Sequence, residues 1–150
     1  MSKKDDALLE VLRANARKST KEIAQELGIP ISTVYDRIKK LEEQGVIEGY
    51  RAVLNPKKLG KGMGAIVSIT VSYYSRTGEK VSQRKLAEKL AAISCVEEVH
   101  IVAGGNDIIM KVRVANVDEL NRFVIDDLRN IDGVDKTQTA IILDSVKDVY

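Results

Sequence analysis

Ser19-Thr20-Lys21-Glu22-Ile23-Ala24-Gln25-Glu26-Leu27-Gly28-Ile29-Pro30-Ile31-Ser32-Thr33-Val34-Tyr35-Asp36-Arg37-Ile38-Lys39-Lys40-Leu41 is the stretch that decides the fold of the first part of the chain. Ser19 and Glu22 stand three apart, so a hydroxyl and a carboxylate can each take a free N–H at a helix start, the pattern of a capping box. Ile23, Ala24 and Leu27 follow as the buried stripe of that helix. Gly28 stands where it stops, because glycine takes positive φ at little cost. Beyond Ile29-Pro30-Ile31, Ser32 is expected to cap a second helix from Thr33 to about Gln44. Val34, Ile38 and Leu41 lie at i, i+4 and i+7 and face inward. Two short helices joined by a tight turn form a helix-turn-helix.

Upstream, Asp5 to Asn15 places Leu8, Leu9 and Leu12 on one side of a further helix. Downstream, Gly45 ends the third helix, and Val46 to Val53 is predicted to form a small β-ribbon turning at Glu48-Gly49. The sum is a winged helix-turn-helix. On the third helix, Ser32, Asp36, Lys39, Lys40 and Glu43 point outward, flanked by Thr33, Tyr35 and Arg37. Hydroxyls, an amphipathic tyrosine and cations are groups that hydrogen-bond base edges and phosphates. A charged outer face on an isolated helix is ordinarily just solvated. The capped helix before it, the tight turn and the ribbon after it turn the reading toward DNA.

Charge divides the same way. The net charge is only +2, yet residues 1–62 hold 13 Lys+Arg against 9 Asp+Glu, and residues 63–150 hold 11 against 13. The basic front half suits a polyanion. Residues 55–63, Asn55-Pro56-Lys57-Lys58-Leu59-Gly60-Lys61-Gly62-Met63, read as a linker between residues 1–54 and a second domain, 64–150. Its lysines can be simply solvated or can meet phosphates.

Past the linker the hydrophobic period becomes two. Val67, Ile69, Val71 and Tyr73 alternate with Ile66, Ser68, Thr70 and Ser72 in a strand over 65–73. Gln83 to Ile93 is helical around Leu86, Leu90 and Ile93. Strands follow at 96–103 and 107–114, joined by the turn Ala103-Gly104-Gly105-Asn106. Asn116 caps a helix that buries Leu120, Val124 and Leu128, and Val134 to Leu143 is the last strand. The order β-α-β-β-α-β is the ferredoxin-like arrangement, so the fold class is α+β. An internal repeat supports it: Leu86, Leu90, Ile93 and Val96 recur 38 positions later as Val124, Leu128, Ile131 and Val134. Helices cover one face of such a sheet. The other carries Ile66, Val102, Ile109 and Ile142 among polar residues and invites a partner subunit.

Composition sets outer limits. At 44% hydrophobic and 31% charged the chain is globular. No apolar run approaches the roughly 18 residues of a membrane span, and no apolar segment follows the first lysines as in a signal peptide. The cytoplasm is the expected compartment, with no membrane partner. The lone Cys95 allows neither an internal disulfide nor a cysteine-based zinc site. No Ser/His/Asp, Cys/His or metal-ligand cluster is present, so no catalytic residue, metal or cofactor is expected, and the chain is not expected to be an enzyme.

The run from Leu27 to Tyr50, above all Arg37-Ile38, Leu41-Glu42, Gly45-Val46-Ile47 and Gly49-Tyr50, resembles the reading head of the Lrp/AsnC, or feast/famine, regulators. The later half resembles that family's RAM domain. The resemblance spans about residues 3–145. It implies a sequence-specific transcription regulator that binds double-stranded promoter DNA, forms dimers that assemble into octamers, and responds to an amino acid held between subunits. DNA contacts are expected from Ser32, Thr33, Tyr35, Asp36, Arg37, Lys39 and Lys40, with Tyr35, Asp36, Lys39 and Lys40 facing the major groove and Arg37 supporting the helix or meeting a phosphate. The effector is expected near the turn joining the second and third strands: Gly104 and Gly105 offering backbone N–H groups to a carboxylate, Asn106 beside them, and Asp107 meeting the ammonium. Thr137 and Thr139, two apart on the last strand, favour a polar effector such as glutamine over leucine. Family members often carry an aromatic residue where this chain has Asn106. Gly-Gly-Asn-Asp is also an ordinary hairpin turn. Two rivals stand beside this reading. One is a nucleoid-type architectural protein, which binds DNA with little sequence preference. The other is an enzyme like the siroheme decarboxylases, which resemble the family in fold but rely on histidines; this chain has only His100.

Overall fold

The first helix, α1 (Lys3–Ala14), begins where Ser2 caps Asp5 and Asp5 returns the bond, a capping box that extends the helix two residues before the expected start. The computed structural model describes residues 2–146; residues 147–150, the end of the expected second domain, lie outside the described residues. The chain forms two compact units that part between Val53 and Leu54.

In the first unit, α2 (Thr20–Leu27) carries the expected Ser19/Glu22 box and ends on Gly28 at φ +64. The third helix, α3 (Ile31–Glu43), starts earlier than expected. Pro30 occupies its N-cap at φ −59, ψ 146 with no side-chain cap, so Ser32 lies inside the first turn and is not the cap. Proline already has the φ a helix entry needs, and the next residues continue it. Leu8, Val11, Leu12, Ile23, Ala24, Val34 and Leu41 form the core, with Leu9, Leu27, Ile29, Ile38 and Ile47 packed against it. After Gly45 (φ +68) the chain turns, with the N–H groups of Val46 and Ile47 both donating to the Leu41 carbonyl. The expected ribbon over 46–53 does not form as paired strands: the segment is irregular, and Val53 is 68% exposed. Without a second strand it has nothing to bury its apolar side against.

Arg37 ties α3 to the start of α1. Its Nη1 donates to Asp5 Oδ1 at 2.5 Å and to Ser2 Oγ at 3.1 Å. The hydroxyl of Ser2, its N–H and then Arg37 hold the Asp5 carboxyl down to about 2.

The second unit is a four-stranded antiparallel sheet in the order β2-β3-β1-β4, from β1 (Met63–Val71), β2 (Val96–Ile101), β3 (Ile108–Val114) and β4 (Val134–Ile142). With α4 (Gln83–Ala91) and α5 (Val117–Arg122) it completes β-α-β-β-α-β. The helices cover the face that carries Ala65, Val67, Ile69, Ile108, Met110, Val112 and Val114, all fully buried. Ile66, Ile109 and Ile142 lie half-buried on the other face, beside Lys111 and Arg113. There a bulge in β2 brings both Glu97 and Glu98 toward those cations, with Arg113 Nε 3.1 Å from Glu97.

The two halves of the repeat share their turn. Ile93 donates to Leu90 and Val96 to Ile93; Ile131 donates to Leu128 and Val134 to Ile131. The repeat breaks in the second helix. After α5 the chain widens into a π turn over Phe123–Asp127, then a 3-10 turn over Leu128–Asn130. The wider turn moves the buried face by one residue, so Phe123 is buried where Val124 was expected and Val124 is only partly covered. Gly133, the counterpart of Cys95, has φ +98, and a Cβ there would stand 2.8 Å from Val81 Cγ1.

Two outcomes follow from this packing. Gly133→Ala combines a left-handed φ with that collision and lowers unfolding stability by about 1–3 kcal/mol in denaturant titration; an unchanged midpoint contradicts it. Asp5 is ionised in the folded state down to about pH 2 but only to its ordinary value of 3.8 when free. Its stabilisation is therefore full above about pH 4 and is lost as pH falls toward 2. Asp5→Asn flattens the melting temperature of the first unit over that window, and a profile identical to wild type contradicts the pairing.

Candidate DNA-reading face and effector turn

On α3 the buried residues Val34 and Leu41 leave one side of the helix to solvent. Ser32, Tyr35, Asp36, Lys39 and Lys40 are exposed there, Tyr35 to 60%, and Thr33 is partly covered. A tyrosine so far in water gains nothing from packing within its own unit. Lys39 makes only a long, exposed contact of 3.8 Å with Glu43, a pairing worth about 0.5 kcal/mol at most. Lys40 and Asp36 have no ion-pair partner among the described residues. Ile31, Ser32 and Thr33 present the first-turn N–H groups of a 13-residue helix, the end that favours negative charge. Arg37 differs from its neighbours. Its side chain is turned to Asp5 and Ser2, and its Nε is buried with no acceptor. It fixes the helix that carries the other side chains. Tyr50, further along, donates its hydroxyl to Glu42 at 2.9 Å, and burial together with that bond raises its pKa.

Sequence reasoning missed Ser2 and Asp5 as the partners of Arg37. The signal was present, since Ser2-x-x-Asp5 repeats the spacing of Ser19-x-x-Glu22, but nothing local says that an arginine 32 residues away shares the box.

In the second unit the turn Ala103-Gly104-Gly105-Asn106 is closed by Val102 N–H donating to the Asp107 carbonyl at 2.9 Å. The Asp107 N–H donates to the Ile69 carbonyl at 2.9 Å. Its carboxylate accepts from Val71 N–H at 2.7 Å on one oxygen and from Gln83 Nε2 at 2.8 Å on the other. Asp107 thus clasps the end of β1 and the start of α4 to the turn. Gln83 carried no sequence signal for this role. Among the described residues no Lys or Arg pairs with Asp107, so its charge is not neutralised, and a carboxylate has lone pairs beyond these two bonds. The N–H groups of Gly104 and Gly105 have no acceptor among the described residues, and none of those residues lies within 4 Å of where their Cβ atoms would be. Asn106 is partly covered.

Ile101, Ile108, Ile69 and Thr137 pair in one row across the sheet, so Thr137 lies at the same end as the turn. Thr137 and Thr139 are partly buried and share a face, opposite Ile69 and Val67. β1 stands between β3 and β4, and Asp107, which precedes β3, bonds β1 at Ile69 and Val71, so the turn meets β1 at the row that pairs with Thr137. Thr137 also lines a groove of about 470 Å3 with Arg129, Val134, Asp135 and Lys136. His100 is exposed, 3.4 Å from Glu98. Among the described residues no group of three or more His, Cys, Asp or Glu is placed to hold a metal, and no helix is long and apolar enough to cross a membrane.

These two sites coincide with two family models. Residues 1–48 match a winged helix-turn-helix DNA-binding domain, and residues 64–150 match the Lrp/AsnC ligand binding domain. An HTH-type transcriptional regulator of Pyrococcus abyssi is 44% identical over 148 residues, covering 99% of this chain and 96% of its own length. One from Pyrococcus horikoshii is 43% identical over the same span, with the same coverage of both chains. Among solved structures, Escherichia coli AsnC superposes with a TM-score of 0.83 at 27% identity, covering 99% of this chain and 95% of that one. A Neisseria meningitidis transcriptional regulator in complex with L-Met superposes at 0.90 with 23% identity, over 99% of this chain and 94% of that one, which speaks for the fold. The expected α+β architecture is the one found, and the chain belongs to the Lrp/AsnC family of DNA-binding transcription regulators.

Proposed function

We propose that this regulator reads a specific duplex sequence through α3 and that an amino acid bound at the Gly104–Asp107 turn modulates it. The observation that carries the effector reading is the pairing of two opposite features at one turn: unoccupied N–H donors at Gly104 and Gly105, and an unneutralised carboxylate at Asp107. A zwitterion has the same two ends a short distance apart. Its carboxylate takes the N–H groups, and its ammonium takes the lone pairs Asp107 has left. A protein of this fold is named with L-Met bound, and the matching family model is a ligand-binding domain, which supports the class of ligand. The half-buried apolar residues of the open sheet face, Ile66, Ile109 and Ile142, favour a homodimer as the basic unit, with octamers built from it. Thr137 and Thr139, paired with Ile69 and Val67 on the helix-covered side of edge strand β4, serve a ligand held between dimers, and their hydroxyls favour a polar side chain such as glutamine, since an unpaired buried hydroxyl costs about 1–3 kcal/mol. On α3, Tyr35, Asp36, Lys39 and Lys40, with Ser32 and Thr33, meet the DNA, and Arg37 positions them.

Changing Tyr35, Lys39 and Lys40 together to Ala lowers the preference for the target duplex over an unrelated one by at least about tenfold. A preference equal to wild type in fluorescence anisotropy overturns the assignment of α3. For the effector, calorimetry against the twenty amino acids gives saturable binding of one polar member. Asp107→Asn retains an acceptor for Val71 but not the charge, and weakens that binding about tenfold or more. Gln83→Ala, which removes one strut and no charge, leaves most of it. Equal affinity in wild type and Asp107→Asn, or no binding by any of the twenty, contradicts the site.

A further inference from the structure

The segment after the reading head is not a slack linker. The Asn55 carbonyl and Pro56 carbonyl both accept from Leu59 N–H, Pro56 accepts again from Lys61 N–H at 2.9 Å, and Lys57 accepts from Gly60 N–H. The Asn55 side chain accepts from Lys58 N–H at 3.2 Å, and Gly60 turns the chain at φ +72. This is a single hydrogen-bonded knot. It displays Lys57, Lys58 and Lys61, all exposed. The stem of Lys57 lies against Gly62, where a Cβ would stand 3.3 Å from Lys57 Cγ.

Along the sequence the charge at the knot is one-sided. From Gly49 to Gly78 the chain has no Asp or Glu, while it has Arg51, Lys57, Lys58, Lys61 and Arg76. None of the three lysines has an ion-pair partner among the described residues. Residues 63–150 are net acidic, so the cluster is not the edge of a generally basic domain. Three ammonium groups held within five residues repel one another, and among the described residues none of them forms an ion pair, although Glu119 and Asp127 share the surroundings of Cys95 with Lys61. A polyanion offsets the repulsion.

We infer that the Asn55–Lys61 knot is a second DNA contact, a sequence-independent clamp in which Lys57, Lys58 and Lys61 bind phosphodiester oxygens of the duplex that α3 reads. The inference rests on the family's DNA-binding role. The partner is duplex DNA because that is the polyanion this chain's own reading head brings near. Lysine fits the task as a point charge on a flexible stem that needs no base edge.

The test is the salt dependence of binding of the full chain to a duplex of random sequence. Each phosphate neutralised adds about 0.9 to the slope of log K against log salt. The triple variant Lys57→Ala, Lys58→Ala, Lys61→Ala lowers that slope by about two to three units. It weakens target and random duplexes by the same factor, so their ratio stays constant. Replacing all three by Arg keeps the wild-type slope, and circular dichroism melts confirm that both variants fold. The inference is overturned by an unchanged slope in the alanine variant. It is also overturned by a loss confined to the target duplex, or by a loss of slope in the arginine variant. The α3 variant with Tyr35, Lys39 and Lys40 changed keeps the two readings apart. It loses the preference for target, whereas the knot variant keeps it.

Discussion

The carboxylate of Asp107 joins parts of the second unit that lie 36 and 24 residues away in sequence, through Val71 N–H and the Gln83 amide. Hydrogen bonds to a charged acceptor contribute about 1.5–3 kcal/mol each, so one side chain fixes the end of the central strand β1, the first turn of α4 and the β2–β3 turn together. Both donors are neutral. The geometry of the turn is therefore set without consuming its charge. The glycines beside it leave their N–H groups to solvent because the clasp takes its hydrogen bonds from elsewhere. One residue thus holds the turn on one side and keeps a carboxylate without a cationic partner among the described residues on the other.

The first unit solves a similar problem with opposite charge. Arg37 gives up its guanidinium to Asp5 and Ser2, which locks α3 against the start of α1. The cost is a cation lost to DNA; the gain is a fixed helix from which Tyr35, Asp36 and Lys40 project without internal partners. Packing inside the unit does not require those side chains, and the chain belongs to a family of DNA-binding regulators. The Glu97, Glu98, Lys111 and Arg113 cluster on the open sheet face uses its charges differently again, pairing them over strands at the sheet edge. A paired edge with a bulge discourages unregulated strand addition.

Much of this was legible in the sequence because it depends on local periodicity. The i, i+4, i+7 spacing of Val34, Ile38 and Leu41 gave α3, and alternation at Ile108, Met110, Val112 and Val114 gave β3. The 38-residue repeat gave the β-α-β-β-α-β order, down to matching turn bonds at Ile93 and Ile131. What was not legible depends on neighbours in space or on a one-residue change of pitch. The π turn at Phe123–Asp127 shifts a buried face that periodicity alone assigns to Val124. Pro30 and Ser32 are both acceptable at a helix start, and choosing between them needs the backbone. The Val46–Val53 ribbon looked sound on propensity but has no strand to pair with in its own unit. At the candidate sites, helix support by Arg37 was legible, and the contacts that carry it were not. Arg37 belongs to a capping box, Asp107 to a clasp, and Thr137 and Thr139 lie across β1 from the turn.

The central claim is that α3 reads sequence and does not merely hold DNA. Selection of bound duplexes from a random-sequence pool, sequenced after several rounds with and without the twenty amino acids, tests it most directly. The account predicts that one motif is enriched, two-fold symmetric if the dimer is the binding unit, and that a polar amino acid changes the strength of its enrichment. A pool that stays random at every round, with binding that falls only as salt rises, contradicts it and makes the chain an architectural DNA-binding protein instead.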